Sequence, residues 1–131
     1  MSAFLDTNVL IRHLTGDPPE MAKRATATLA GGGGRLLLAD LILAECVYVL
    51  EFYYELDRSR VAGLMRAAIA LPTITVVDER LLLRSLELYE ADRLDFAEAY
   101  LVASAEATGV KAVVSFDRAI DRVATVERIE P

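Results

Sequence analysis

Ser2-Ala3-Phe4-Leu5-Asp6, running through Thr7-Asn8 into Val9-Leu10-Ile11-Arg12-His13-Leu14, is the stretch that decides the fold class. It reads as a short, buried apolar strand that ends in an acid and passes at once into a helix. Gly16-Asp17-Pro18-Pro19 then breaks that helix. Outward from it the same unit recurs. An alanine-rich helix is expected over 21–30 and a flexible glycine connector over 31–34. A second strand follows over 36–39, and Asp40 is placed to cap a long helix that runs to about Leu56. Asp57 can cap the next helix, which ends near Leu71, before Pro72. The β-branched run over 74–77 reads as a strand, with Asp78 as cap of a helix over 79–91. A helix over 96–108 stops at Gly109, a strand over 112–115 precedes Asp117, and a last short strand is expected over 126–129.

Short apolar strands that alternate with helices point to a parallel sheet covered on both faces. The expectation is a three-layer α/β/α domain around a central, mostly parallel sheet of four to five short strands. At 131 residues and 54% hydrophobic content, the chain 1–131 fits one domain with a real core and leaves no room for two independent ones. One cysteine, Cys46, and one histidine, His13, make neither an intramolecular disulfide nor a Cys/His zinc site. That usage and the absence of a basic, apolar leader at the start lead us to expect a cytoplasmic protein. No membrane span is expected either, because the most apolar segment, 36–54, carries Asp40, Glu45 and Glu51.

A net charge of −6 argues against broad adhesion to nucleic acid, which needs clustered Lys and Arg. The sign acquires another meaning if acids gather in one pocket around a divalent ion, since hard cations prefer carboxylate oxygens. Ligands of open parallel sheets bind beyond the carboxyl ends of the strands, and Asp6 and Asp117 occupy such ends. Glu45 lies inside an apolar stretch, Leu41-Ile42-Leu43-Ala44 before it and Cys46-Val47 after it, where an unpaired charge is costly. Asp95 and Glu98 are spaced to share one helix face. Mg²⁺ takes one or two carboxylates directly and keeps its waters, so further acids can position water, and a bound water can be activated for attack on a phosphodiester.

Four segments carry a family resemblance. Phe4-Leu5-Asp6-Thr7-Asn8-Val9-Leu10-Ile11 resembles the opening motif of PIN-domain nucleases, and Ala39-Asp40-Leu41-Ile42-Leu43-Ala44-Glu45-Cys46-Val47-Tyr48-Val49-Leu50 resembles their second acidic motif. Leu94-Asp95-Phe96-Ala97-Glu98-Ala99-Tyr100-Leu101-Val102-Ala103 resembles the third, and Val113-Val114-Ser115-Phe116-Asp117 the fourth. Within that family the chain is most similar to the compact VapC toxins of toxin–antitoxin pairs. The resemblance implies a Mg²⁺- or Mn²⁺-dependent endoribonuclease acting on tRNA, rRNA or mRNA, often a homodimer, held inactive by a cognate antitoxin. By position it implies Asp6, Glu45, Glu98 and Asp117 as the catalytic acids. The metal would be held by Asp6, Asp117 and the Asp95/Glu98 pair, with Asn8 and Ser115 in support. The family's third acid is commonly aspartate. Here it is Glu98, one methylene longer, and Asp95, one turn earlier, is a second candidate for the same role.

Each acid also has a structural reading. Asp95 with Glu98 fits a capping box, Asp6 and Asp117 can cap the helices that follow them, and only Glu45 has no capping role. Tyr48, Phe52 and Tyr53 read as core or dimer contact, Cys46 as an inert buried thiol and His13 as a partly exposed helix residue. Arg12, Lys23, Arg24 and Arg35 suit RNA phosphates as well as they suit a solvated face. Two other classes compete with the nuclease. A phosphoacceptor domain would want adjacent acids after the first strand and a lysine after a late one; the chain has Asp6-Thr7-Asn8 and Ser115-Phe116-Asp117 instead. A catalytically silent RNA- or protein-binding scaffold would keep the fold without needing the acids.

Overall fold

In the computed structural model of the chain, residues 2–31 and 34–131 are described. The expected glycine connector is therefore seen only at its ends, and Gly32 and Gly33 lie outside the described residues. The chain divides into two compact units, Met1–Val77 and Asp78–Pro131.

The first unit contains strands β1 (Ser2–Phe4), β2 (Arg35–Leu37) and β3 (Ile74–Thr75) and helices α1 (Thr7–Thr15), α2 (Pro19–Leu29), α3 (Asp40–Tyr48) and α4 (Arg58–Ile69). The strands form one parallel sheet in the order β1-β2-β3, with Phe4 opposite Leu37 and Leu36 opposite Ile74. Leu5 N–H extends the first ladder to the Leu37 carbonyl at 2.9 Å. The first strand is not buried as expected: Ser2–Phe4 is exposed throughout and burial begins at Leu5. It is an edge of this sheet, and an edge strand has less cover than a central one. Gly16 ends α1 in the left-handed region (φ 71°), and its N–H closes onto the Arg12 carbonyl. Pro18-Pro19 then starts α2, where a missing N–H costs nothing.

The long helix expected over 40–56 is shorter and differently begun. Ala39 occupies its N-cap and Asp40 is its first helical residue rather than its cap. After Tyr48 the chain widens into a π-helical turn, Val49–Tyr53, closed by Tyr54 N–H to the Val49 carbonyl. The extra residue accommodates a crowded aromatic run in which Tyr48 and Phe52 stack with centroids 6.1 Å apart. Leu43, Cys46, Val47 and Leu50 point inward at the spacing of one helical face, and all four are fully buried. Glu45 falls on the opposite, exposed face. The apolar neighbours that made its charge look expensive are therefore its sequence neighbours and not its surroundings. Phe52 and Tyr53 are likewise 66% and 78% exposed, so they are not core.

The second unit contains α5 (Glu79–Ala91), α6 (Phe96–Thr108), β4 (Ala112–Val114), a 3₁₀ turn (Arg118–Arg122) and β5 (Glu127–Ile129). Asp78 caps α5 by accepting from Leu81 N–H at 3.1 Å, and Gly109 ends α6 at φ 76°. The helices pack through Leu82, Leu86 and Tyr89 against Phe96, Ala99 and Ala103, with Tyr89 and Phe96 edge to face. Arg84 of α5 grips the Glu106 carboxylate of α6 with two bonds of 2.8 and 2.9 Å. β4 and β5 pair in parallel, Val113 opposite Arg128.

The protein is thus α/β, with five short strands of which every pairing is parallel, grouped as three and two. The last strands and the helices of the second unit begin and end within a residue or so of expectation, whereas the strand expected over 74–77 narrows to two residues. Among the described residues no helix is long and apolar enough to cross a membrane. The two faces of α3 predict opposite stability effects. Leu43→Ala should cost about 2–5 kcal/mol, whereas Glu45→Gln should change stability by no more than about 0.5 kcal/mol in denaturant unfolding. A comparable loss from Glu45→Gln would contradict its placement.

Candidate active site

In the first unit, Asp6 follows β1 directly and caps α1: its Oδ1 accepts from Thr7 N–H at 2.8 Å. One carboxylate oxygen thus satisfies an orphan donor of the helix and the other is left for a further partner. That bond comes from the Thr7 backbone and not from Asn8, whose side chain lies exposed at the second position of α1. Thr7 itself is buried, and its Oγ1 has no hydrogen-bond partner. Glu45 belongs to the same neighbourhood. The fully buried Cys46 thiol is pushed up to about 12, first by burial and then by the negative charges of Glu45 and Asp6. Cys46 is inert, as expected, and it places both acids within electrostatic reach of one point.

The second unit gathers the other candidates. Asp117 follows β4 after Ser115-Phe116 and caps the 3₁₀ turn, accepting from Ala119 N–H at 2.9 Å. Ser115 supports it: its Oγ accepts from the Asp117 backbone N–H at 2.9 Å. Arg128 of β5 brackets the same turn, donating to the Ser115 carbonyl at 2.9 Å and to the Asp121 carboxylate at 3.0 Å. Asp95 occupies the N-cap position of α6, but no side-chain bond caps the helix there, so the capping box expected of Asp95 and Glu98 does not form. The Glu98 side chain turns to Asp117 instead.

That pair is the electrostatic centre of the unit. Glu98 is pushed up to about 7, first by burial, then by the hydrogen bond and charge of Asp117 and the charge of Asp95, with Arg122 opposing. Asp117 is pulled below the usual aspartate range, first by the hydrogen bond from Glu98 and then by Ala119 N–H. Two hydrogen-bonded carboxyls tend to keep one proton between them until the pH passes the raised value, because charging both is costly. The second Glu98 oxygen, Oε2, is buried without a hydrogen-bond partner. A divalent cation fits this arrangement, for it would replace the shared proton and occupy the idle oxygen. Within each unit, no three His, Cys, Asp or Glu side chains among the described residues stand close enough together to form a full ligand group. One or two carboxylates with several waters is the usual protein share of a Mg²⁺ shell.

Two contributors were invisible from sequence spacing. Arg122 donates to the carbonyls of Asp92 and Arg93 at 3.3 and 3.2 Å, across the left-handed turn before α6 (Arg93 φ 56°). Arg128 acts from a strand. Neither lies in an acidic motif, and only the chain reversals that join β4, the 3₁₀ turn and β5 bring them near Asp117.

The Glu98 shift fixes a pH dependence. Between the ordinary glutamate value of 4.5 and about 7, the unfolded chain releases a proton that the folded chain keeps, so the metal-free protein loses stability as pH rises through that window. The lowered Asp117 acts in the opposite sense, but only as pH falls below its ordinary value of 3.8. Glu98→Gln should therefore flatten the decline in melting temperature between about pH 4.5 and pH 7. Identical declines in wild type and Glu98→Gln would show that the pair is not coupled.

The PIN domain family matches residues 3–126. A VapC ribonuclease of Aquifex aeolicus (strain VF5) is 26% identical over 117 residues, spanning 88% of this chain and 87% of the relative. With a match that covers nearly the whole chain and includes all four acidic segments, the chain belongs to the PIN-domain family.

Proposed function

We propose that the chain 1–131 is a single nuclease domain that hydrolyses RNA with a divalent metal ion, as the toxin of a toxin–antitoxin pair. The observation that carries the reading is the hydrogen-bonded Glu98–Asp117 carboxyl pair, in which burial and the neighbouring acid push Glu98 up to about 7 and Glu98 Oε2 is buried with no hydrogen-bond partner among the described residues. Asp6, Glu45, Glu98 and Asp117 are the catalytic acids of this proposal. Asp6, Asp117 and the Asp95/Glu98 pair would hold the ion, with Ser115 and Asn8 in support and Glu45 orienting water. Support for one domain comes from the family match, which runs through both units. Support for RNA as substrate and an antitoxin as partner comes from the similarity to a VapC ribonuclease.

When bound, a divalent ion supplies an activated water and stabilises charge on the phosphate. The chain's own groups do the rest. Asp6 is fixed by the helix it caps and Asp117 by the 3₁₀ turn it caps, so both side chains are directed before any ligand arrives. Ser115 and Arg128 hold the turn that presents Asp117. Glu98, once deprotonated, would share with Asp117 in holding the ion. A cytoplasmic homodimer is part of the same reading. An open apolar groove of about 430 Å³ runs along α3 and the π-turn with Glu45 in its lining, and its exposed Phe52 and Tyr53 suit contact with a second protein surface.

Purified protein should cleave single-stranded RNA with Mn²⁺ and stop with chelator. Asp6→Asn and Glu98→Gln should each lower the rate roughly hundredfold or more at saturating RNA. Cleavage that survives chelator and both substitutions would refute the reading. RNA bound but uncleaved under all conditions would favour the silent scaffold.

A further inference from the structure

The first unit carries a second feature that the acids do not explain. Between α1 and α2 lies a groove of about 250 Å³, with Asn8 and Arg12 on one wall and Arg24 and Thr28 on the other. Arg12 is half-buried, and its Nε is fully shielded from solvent without a hydrogen-bond partner. Among the described residues its one hydrogen bond runs from Nη1 to the Asn8 carbonyl, at a long 3.3 Å. A guanidinium has five donors and no acceptor, so most of its capacity here is unused.

The surrounding charges sharpen the point. Acids outnumber bases 20 to 14 in this chain, and Arg58, Arg84 and Arg128 each stand in an ion pair with one of them. Arg12, Lys23 and Arg24 have no carboxylate partner among the described residues, and Glu20, one turn before Arg24, forms no ion pair with it. Three cations are thus left without a counter-charge on two adjoining helices of an acidic protein, and one of them is partly desolvated. An anion supplied from outside would satisfy them, and the planar fork of arginine suits a phosphate diester.

We propose that the α1–α2 groove binds the phosphodiester backbone of an RNA strand through Arg12 and Arg24. The proposal rests on the nuclease reading and deepens it by saying where the strand lies. Asn8, in the groove lining, is two residues beyond Asp6, so the groove adjoins the end of α1 that Asp6 caps. Phosphate contacts of this kind position a strand without reading its bases. They also supply locally the positive charge that the chain lacks as a whole.

Binding of a fluorescent, 2′-O-methylated oligouridylate to the full chain in chelator tests this without any cleavage. Arg12→Met and Arg24→Met should each weaken binding about tenfold and lower the slope of log affinity against log salt by about 0.7, the value for one lost phosphate contact on a single strand. Both variants should keep the wild-type melting temperature, which excludes unfolding as the cause. Lys substitutions, which keep the charge and lose the fork, should bind between the two. Unchanged affinity and slope in both Met variants would overturn the proposal. So would a polyglutamate peptide that binds as tightly and with the same dependence on Arg12 and Arg24, since the groove would then be one for an acidic protein segment. The nuclease reading fails separately: salt-dependent RNA binding through the arginines, with no Mn²⁺-dependent cleavage, would refute the enzyme and leave the groove.

Discussion

A helix that starts where a strand ends exposes backbone N–H groups without partners, and in this protein aspartates answer them. Asp6 after β1 and Asp117 after β4 each accept a backbone hydrogen bond in the first turn that follows. Asp57 and Asp78 do the same for α4 and α5. The requirement is structural, but at strand ends it has a chemical consequence. A carboxylate fixed through one oxygen presents the other in a set direction, at the rim of a parallel sheet where ligands of α/β proteins bind.

Fixing anions has an electrostatic cost. Glu98 and Asp117 illustrate how the metal-free chain meets it, by holding a proton between them at a pH where a lone glutamate would have lost its own. Arg122 and Arg128 offset part of the charge from the side. The same logic in reverse describes α1 and α2, where arginines lack the anions that would satisfy them. An acidic protein can engage RNA if its negative groups bind cations and some of its cations are placed where the phosphates pass.

Much of this was legible in the sequence because it depends on local chemistry. Glycine and aspartate punctuation marked α5 and α6, and strand-end acids followed by helix-forming residues marked Asp6 and Asp117. Ser115, two residues before Asp117, accepts from its backbone N–H. Other features depend on the third dimension. Glu45 looked buried because its neighbours in sequence are apolar, yet a helix sends residues 43, 46, 47 and 50 inward and residue 45 outward. The π-turn after Tyr48 left no signature in periodicity. Asp95 and Glu98 had the spacing of a capping box, but the nearer attraction for Glu98 was Asp117, nineteen residues on in the chain. Arg122 and Arg128 act from outside every motif.

The central claim is that a divalent cation takes the place of the proton between Glu98 and Asp117. Calorimetric titration of the full chain with Mn²⁺ near neutral pH, repeated in buffers of different ionisation enthalpy, counts the protons released on binding. The account predicts release of a substantial fraction of one proton, up to about one, from the wild type and close to none from Glu98→Gln. Binding without proton release in the wild type, or the same release from both proteins, would contradict it.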